Sequence, residues 1–278
     1  GSHPFVSIKY KDFIGFREYI TGLVRLLLRI SARYRDPLYR RCVSKSVRIF
    51  VANRECIKRL PAAARNRALV WAQNSATLDN LSTPKKHNLP LNVISVGRLV
   101  GFKGFRLAIK AFAAHLQLYP DSRLTILGDG KQRRDLEQLA STLGIERSIT
   151  FAGQVARSAV LEAMNCGNVF LFPSFEGAGM VVIEAMAKGL PVVCLDFGGP
   201  GEYVTDECGI KVPLTKPAEV IQGLADALSK LATDPGFYER LSAGAIKRVR
   251  NNYLWDSVGE QLNILYRQVY EETKNKGK

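Results

Sequence analysis

The sequence predicts an α/β protein built on a doubly wound parallel sheet. Three observations carry that prediction. From residue 91 onward, short apolar runs alternate with longer amphipathic stretches in strand–helix order. The apolar runs are continuous, as strands covered by helices on both faces read. The turns after them gather glycines and charged residues, where open parallel sheets bind ligands.

The elements follow in order. Residues 13–33 read as a helix: Phe13, Phe16, Tyr19, Ile20, Leu23, Leu26, Leu27 and Ile30 share one side, and Arg25, Arg29 and Arg33 stand four apart on the other. Residues 48–51 read as a short strand and about 53–60 as a helix. Residues 74–90 are polar, hold Pro84 and Pro90, and read as a linker and domain boundary. Strands are then predicted at 92–96, 124–127, 149–151, 169–172 and 191–194. Helices are predicted between and after them at about 104–118, 131–143, 156–166 and 180–188. Helical stretches at about 217–232, 236–250 and 255–272 close the chain.

Composition narrows the classes. The chain has 278 residues, with 46% hydrophobic and 23% charged, which is globular and not disordered. No apolar run reaches the roughly 18–20 residues of a membrane-spanning helix. The five cysteines are odd in number, scattered, and without a Cys-x-x-Cys, which argues against a disulfide framework or zinc ribbon. The formal charge of +15 is uneven: residues 1–90 hold 18 Lys/Arg against 5 Asp/Glu, and residues 91–278 hold 22 against 20. A uniformly basic nucleic-acid binder does not fit that distribution. Gly1-Ser2-His3 resembles the remnant of a cleaved purification tag, so the natural chain is expected to extend further.

Three strand-to-helix turns hold the candidate chemistry. Gly97-Arg98-Leu99-Val100-Gly101-Phe102-Lys103-Gly104 puts two cations among glycines, suited to a diphosphate or, more plainly, a turn with two solvated cations. Its glycine spacing is neither a Walker A motif nor the dinucleotide fingerprint. Gly128-Asp129-Gly130 reads as a tight turn, with Asp129 capping the next helix. The stretch from Pro173 to Met186 is the most informative. Glu176 and Glu184 stand eight apart, and the backbone of Gly177, Ala178, Gly179, Met180 and Val181 opens a helix as a ready anion site. The bland alternative makes Glu184 a helix-dipole partner and Glu176 a solvated loop acid.

The run from Pro173 through Glu176, Gly177 and Glu184 to Val193 resembles the E-x7-E signature of retaining, nucleotide-sugar-dependent glycosyltransferases of the GT-B fold, which have two Rossmann-like domains. Gly97-Arg98-Leu99 with Lys103-Gly104, Gly128-Asp129-Gly130, Phe151-x-Gly153 and Gly198-Gly199-Pro200-Gly201-Glu202 resemble further signatures of that group, in the same order. The resemblance is strong over residues 91–212. Tyr253-Leu254-Trp255 through Leu265-Tyr266 resembles its last helix, which crosses back to the N-terminal domain.

The resemblance implies roles. Arg98 and Lys103, beside Gly97, would neutralise the donor diphosphate. Glu176 would contact the donor sugar, and the backbone from Gly177 through Ala178, Gly179 and Met180 to Val181 would hold phosphate and sugar. Glu184 would bond the ribose, and Gly153-Gln154-Val155 would lie against the base. The donor would be a UDP- or GDP-linked sugar and the acceptor a glycan or lipid-linked molecule. No metal is implied, because the Asp-x-Asp of the other main glycosyltransferase fold is missing from the sequence. A non-catalytic nucleotide-sugar-binding module and a sugar-nucleotide epimerase of the same fold stay open as alternatives.

Departures from the pattern shape the expected organisation. Such enzymes run to about 350–400 residues, whereas only about 90 residues precede this sheet. Ala178 replaces a commonly aromatic residue. Residues 1–90 are therefore expected to be the end of an acceptor-side domain plus linker, 91–252 the donor-binding domain, and 253–278 the crossing helix. Such a fragment is expected to be inactive alone. The basic stretch 13–33 is expected either to pack in the acceptor-side domain or to touch an anionic membrane surface. The expected location is cytoplasmic, peripheral on the inner face of the plasma membrane, without nucleic acid.

Overall fold

A computed structural model describes residues 36–71, 76 and 81–276, together with Ile20, Val24 and Leu27. The helix expected over 13–33 lies outside the described residues except for those three, which are helical and exposed.

The N-terminal segment holds α1 (Pro37–Lys45), β1 (Ile49–Val51), α2 (Arg54–Ile57), α3 (Ala62–Arg65) and β2 (Ala68–Val70). β1 and β2 pair in parallel. Val51, Leu60 and Ala64 form their small buried core. The helix expected over about 53–60 is confined to 54–57. Asn53 caps it, its side chain accepting from the Cys56 N–H, and Pro61 follows closely, where a helix cannot continue without losing a donor.

The larger unit follows as β3 (Asn92–Val96), α4 (Phe105–Leu116), β4 (Arg123–Leu127), α5 (Arg133–Thr142), β5 (Ile149–Gly153), α6 (Arg157–Cys166), β6 (Val169–Phe172), α7 (Met180–Ala187), β7 (Val192–Leu195), α8 (Gly198–Tyr203) and β8 (Gly209–Val212). The helices α9 (Pro217–Thr233), α10 (Pro235–Asn252) and α11 (Trp255–Lys276) complete it. The six strands β3–β8 are all parallel, in the order β5-β4-β3-β6-β7-β8. The chain builds outward from β3 to β5, crosses over to β6 beside β3, and builds outward the other way.

The continuous apolar runs have the predicted cause. Val93, Leu124, Ile126, Val169, Leu171, Val193 and Leu195 face one core with α4, α5 and α9. Their neighbours Ile94, Leu127, Phe170, Phe172, Val192 and Cys194 face a second core with α6, α7 and the end of α10. Each fully buried side chain of this size adds roughly 1.5–3 kcal/mol over an exposed one. α8 and β8 were not predicted. Both are short, α8 carries three glycines and a proline, and β8 carries Lys211 among its four residues.

Residues 81–90, read as the end of a linker, run along the large unit. The Ser82 N–H donates to the Ala187 carbonyl at 2.8 Å and the Lys85 N–H to Ser242 Oγ at 2.7 Å. At the other end of the chain, Ala76 bridges Leu254, and Arg48 pairs with Glu272 of α11 at 2.5 Å. No helix among the described residues is long and apolar enough to cross a membrane. All five cysteines are free thiols, and burial pushes the Cys194 thiol pKa up.

Candidate functional site

The strand order reverses between β3 and β6, so the loops leaving these two strands part and open a crevice at their C-terminal ends. The β3 loop carries Arg98 and Lys103, and the β6 loop carries Glu176. Both predicted groups thus stand at the switch point of the sheet.

Backbone hydrogen bonds stitch this rim together. The Phe175 N–H donates to the Phe102 carbonyl at 2.8 Å, tying the β6 loop to the β3 loop. The Gly199 N–H donates to the Glu176 carbonyl at 3.2 Å, tying it also to α8. The Leu99 N–H donates to the Asp129 carbonyl at 2.9 Å, adding the turn after β4. Gly104 makes the first of these joints by close approach. Its φ is +72°, and a Cβ there would stand 1.9 Å from the Pro173 carbonyl oxygen.

Lys103 Nζ forms a short ion pair with Glu176 Oε2. Both side chains are largely buried, at 14% and 17% exposed. The lysine stem runs along Gly97, and its ammonium lies 5.2 Å from the centre of the Phe172 ring, an additional electrostatic contact. Arg98 is exposed and makes no ion pair among the described residues, which leaves its charge free for a ligand.

Ala178, Gly179 and Met180 lead into α7. Gly179 is the N-cap and makes no side-chain capping bond, so the first N–H groups of α7 are not covered by a cap. With the helix dipole behind them, they suit an anion. Glu184 stands one turn further in, only 13% exposed, with Arg157 NH2 2.6 Å from its Oε1. Arg157 opens α6, directly after the Gly153, Gln154 and Val155 turn. Gln154 is exposed, and Val155 is half-buried against the second core. The carboxylate at 184 therefore lies within reach of the 153–155 turn through its arginine partner.

Two residues at this site escaped the sequence reading. Arg157 is a lone arginine at a helix start, and only its position after the 153–155 turn marks it. Asn53 is marked by the sequence only as the start of a helix. Its buried Nδ2 donates to the Gly177 carbonyl at 2.9 Å, bringing the N-terminal segment onto the β6 loop. Asp129 does not cap α5 as expected. The helix begins at Arg133, and Asp129 Oδ1 accepts from the Gly130 N–H at 2.6 Å while its carboxylate meets Arg133 at 3.4 Å.

Solved structures share this architecture. The Anabaena protein Alr3699/HepE in complex with UDP superposes with a TM-score of 0.68 at 19% identity, covering 82% of this chain and 65% of that one. The pneumococcal O-GlcNAc transferase GtfA in complex with UDP and GlcNAc gives 0.65 at 19% identity, over 82% of this chain and 46% of that one. These likenesses define the fold: the six-stranded parallel unit has the architecture found in GT-B glycosyltransferase structures. The profile of the family described as glycosyl transferases group 1 matches residues 81–248, and the chain belongs to that family.

Among curated relatives, the alpha-D-kanosaminyltransferase of Streptomyces kanamyceticus is 31% identical over 179 residues, 64% of this chain and 45% of the relative. The GDP-mannose-dependent monoacylated alpha-(1-6)-phosphatidylinositol monomannoside mannosyltransferase of Corynebacterium glutamicum is 29% identical over 177 residues, 60% of this chain and 45% of the relative. The match thus spans a little under half the length of each of these relatives.

Proposed function

We propose that this chain carries the donor site of a retaining glycosyltransferase. The whole protein would take a UDP- or GDP-linked sugar and transfer the sugar to a glycan or lipid-linked acceptor. One observation carries the reading: Lys103, Glu176 and the uncapped start of α7 converge at the β3/β6 switch point.

The chemistry follows from charge. A nucleoside diphosphate is a poor leaving group until its developing negative charge is matched. Lys103 and Arg98 supply cations, and the N–H groups at the start of α7 supply aligned dipoles, all preorganised before the bond breaks. Glu176 orients the sugar through its hydroxyls, and Glu184 accepts from the ribose. The acceptor hydroxyl attacks from the face the diphosphate leaves, which preserves the anomeric configuration. This arrangement calls on protein cations and not on a metal.

The similar proteins support a nucleotide-sugar donor and leave the base open, since a UDP complex and a GDP-mannose-dependent enzyme both occur among them. The sequence of 13–33, with Arg25, Arg29 and Arg33 beside the exposed apolar residues Ile20, Val24 and Leu27, fits a contact with an anionic membrane surface on the cytoplasmic side, where a lipid-linked acceptor would be met. Titration calorimetry with UDP-glucose, UDP-N-acetylglucosamine and GDP-mannose tests the donor reading. Saturable binding of at least one is expected, and no binding by any at millimolar concentration would overturn it.

A further inference from the structure

Asn53 is a buried polar side chain, 1% exposed, on the short connection between β1 and α2. Both ends of its amide are used. Oδ1 accepts from the Cys56 N–H at 3.2 Å and so caps α2. Nδ2 donates to the Gly177 carbonyl at 2.9 Å, 124 residues away. The next residue adds a second tie: the Arg54 N–H donates to Glu202 Oε1 at 3.0 Å, and the Arg54 guanidinium lies 3.4 Å from Glu202 Oε2. Glu202 belongs to α8, whose Gly199 N–H already holds the Glu176 carbonyl. Two successive residues of the N-terminal segment thus grip both walls of the loop that leads into α7.

We propose that Asn53 is a positioning residue that sets the 177–178 peptide of the candidate donor site and couples it to the N-terminal segment. A peptide group is planar and trans, so its C=O and N–H point in opposite directions. Holding the Gly177 oxygen toward Asn53 turns the Ala178 N–H away from it and fixes the peptide plane. That peptide joins Gly177, which has no side chain to restrict it, to an exposed alanine. A small movement of the β1–α2 connection is transmitted to the first N–H groups of the α7 anion site through one hydrogen bond. The importance of that peptide to nucleotide binding rests on the donor reading above. The coupling itself does not.

The cap and the tether separate chemically. Asn53→Asp keeps an acceptor for the Cys56 N–H, since Asp caps as well as Asn, but has no donor for Gly177. Asn53→Ser also caps, adds no charge, and is too short to span to Gly177. In both variants the amide signals of 54–57 should stay as in the wild type, while the melting temperature falls, more for Asn53→Asp, which buries a charge, than for Asn53→Ser. The Gly177 carbonyl carbon-13 shift should move, and the backbone order parameters of 177–179 should fall from about 0.85 toward 0.6. A nucleotide that binds the wild type should bind both variants roughly tenfold more weakly.

Unchanged order parameters and an unchanged Gly177 shift in folded variants would overturn the inference. So would losses confined to 54–57, which would make Asn53 a cap only. The donor reading fails separately: a wild type that binds none of the three nucleotide sugars removes that reading, while loosening of 177–179 in the variants still supports the coupling.

Discussion

Lys103, on the loop after β3, and Glu176, on the loop after β6, close a largely buried ion pair across the crevice where the sheet reverses. The ammonium that would serve a diphosphate is therefore already engaged, and a diphosphate must compete with Glu176 for it. Removing the competitor should help a bare diphosphate and harm a sugar donor. Glu176→Gln is expected to bind UDP or GDP tighter by roughly 1 kcal/mol while gaining less, or losing, with the corresponding nucleotide sugar. Lys103→Ala should weaken both by roughly 1–3 kcal/mol. Calorimetry with paired diphosphate and sugar-diphosphate ligands reads this directly. An equal shift for both ligands in Glu176→Gln would remove Glu176 from contact with the sugar.

Glu184 and Arg157 make the second test. The carboxylate is 13% exposed and its arginine 63% exposed, so the two ends of the 2.6 Å pair live in different surroundings. Arg157 sits mostly in water, where an ion pair is worth about 0–1 kcal/mol. Arg157→Ala should cost nucleotide affinity less than about 1 kcal/mol, whereas Glu184→Ala should cost about 1–3 kcal/mol through loss of the proposed ribose contact. A double-mutant cycle should then show coupling between them. If Glu184→Ala binds as the wild type does while folded, Glu184 does not touch the nucleotide.

The parts of this site differed in how plainly the sequence announced them. Strands β3, β4, β6 and β7 were legible because Val93, Ile126, Phe170 and Val193 sit in short, mostly apolar runs that alternate with helical stretches, as a doubly covered sheet requires. Lys103, Glu176 and Glu184 were legible because they fall in turns directly after such strands. β8 is as short as β6 and β7 but was hidden by its composition: it opens on Gly209 and carries Lys211, whose stem is partly buried while its ammonium lies 3.5 Å from Asp196. Arg157 and Asn53 carry no pattern of their own. Their importance comes from partners 27 and 124 residues away, a relation that only the folded chain states. Asp129 misled because a carboxylate before a helix usually caps it, but here the helix starts three residues too late for that.

The joint between the β3 and β6 loops sets a third expectation. Gly104 has φ +72°, and a Cβ would overlap the Pro173 carbonyl at 1.9 Å. Gly144 has nearly the same φ, +69°, but a Cβ there would meet nothing within 4 Å. Gly144→Ala should therefore pay only the left-handed backbone term, about 1–2 kcal/mol. Gly104→Ala must also push Pro173 aside, and should lose at least about 1 kcal/mol more, along with nucleotide binding. Urea unfolding of the two variants gives the comparison. Equal losses would mean that the 104–173 contact relaxes freely and does not brace the site.

His115 provides a test that is independent of any ligand. It lies on α4 with no exposed surface, its Nδ1 3.2 Å from Ser229 Oγ and its Nε2 3.1 Å from Ser122 Oγ, stacked on Tyr119. Neither hydroxyl offers a negative charge, and burial pushes the imidazole pKa down from 6.5 to about 4. Folding thus favours the neutral ring. As pH falls below 6.5 the unfolded chain takes up a proton that the folded chain refuses until about pH 4, so stability is lost across that window and the contribution is intact above it. The full difference amounts to about 3 kcal/mol. His115→Gln keeps hydrogen-bonding capacity but does not titrate. Its stability, measured by urea unfolding, should start lower at pH 7.5 through poorer packing, and should fall less steeply than the wild type between pH 6.5 and 4. Parallel slopes for the two proteins would show that His115 titrates in the folded chain much as it does in the unfolded one.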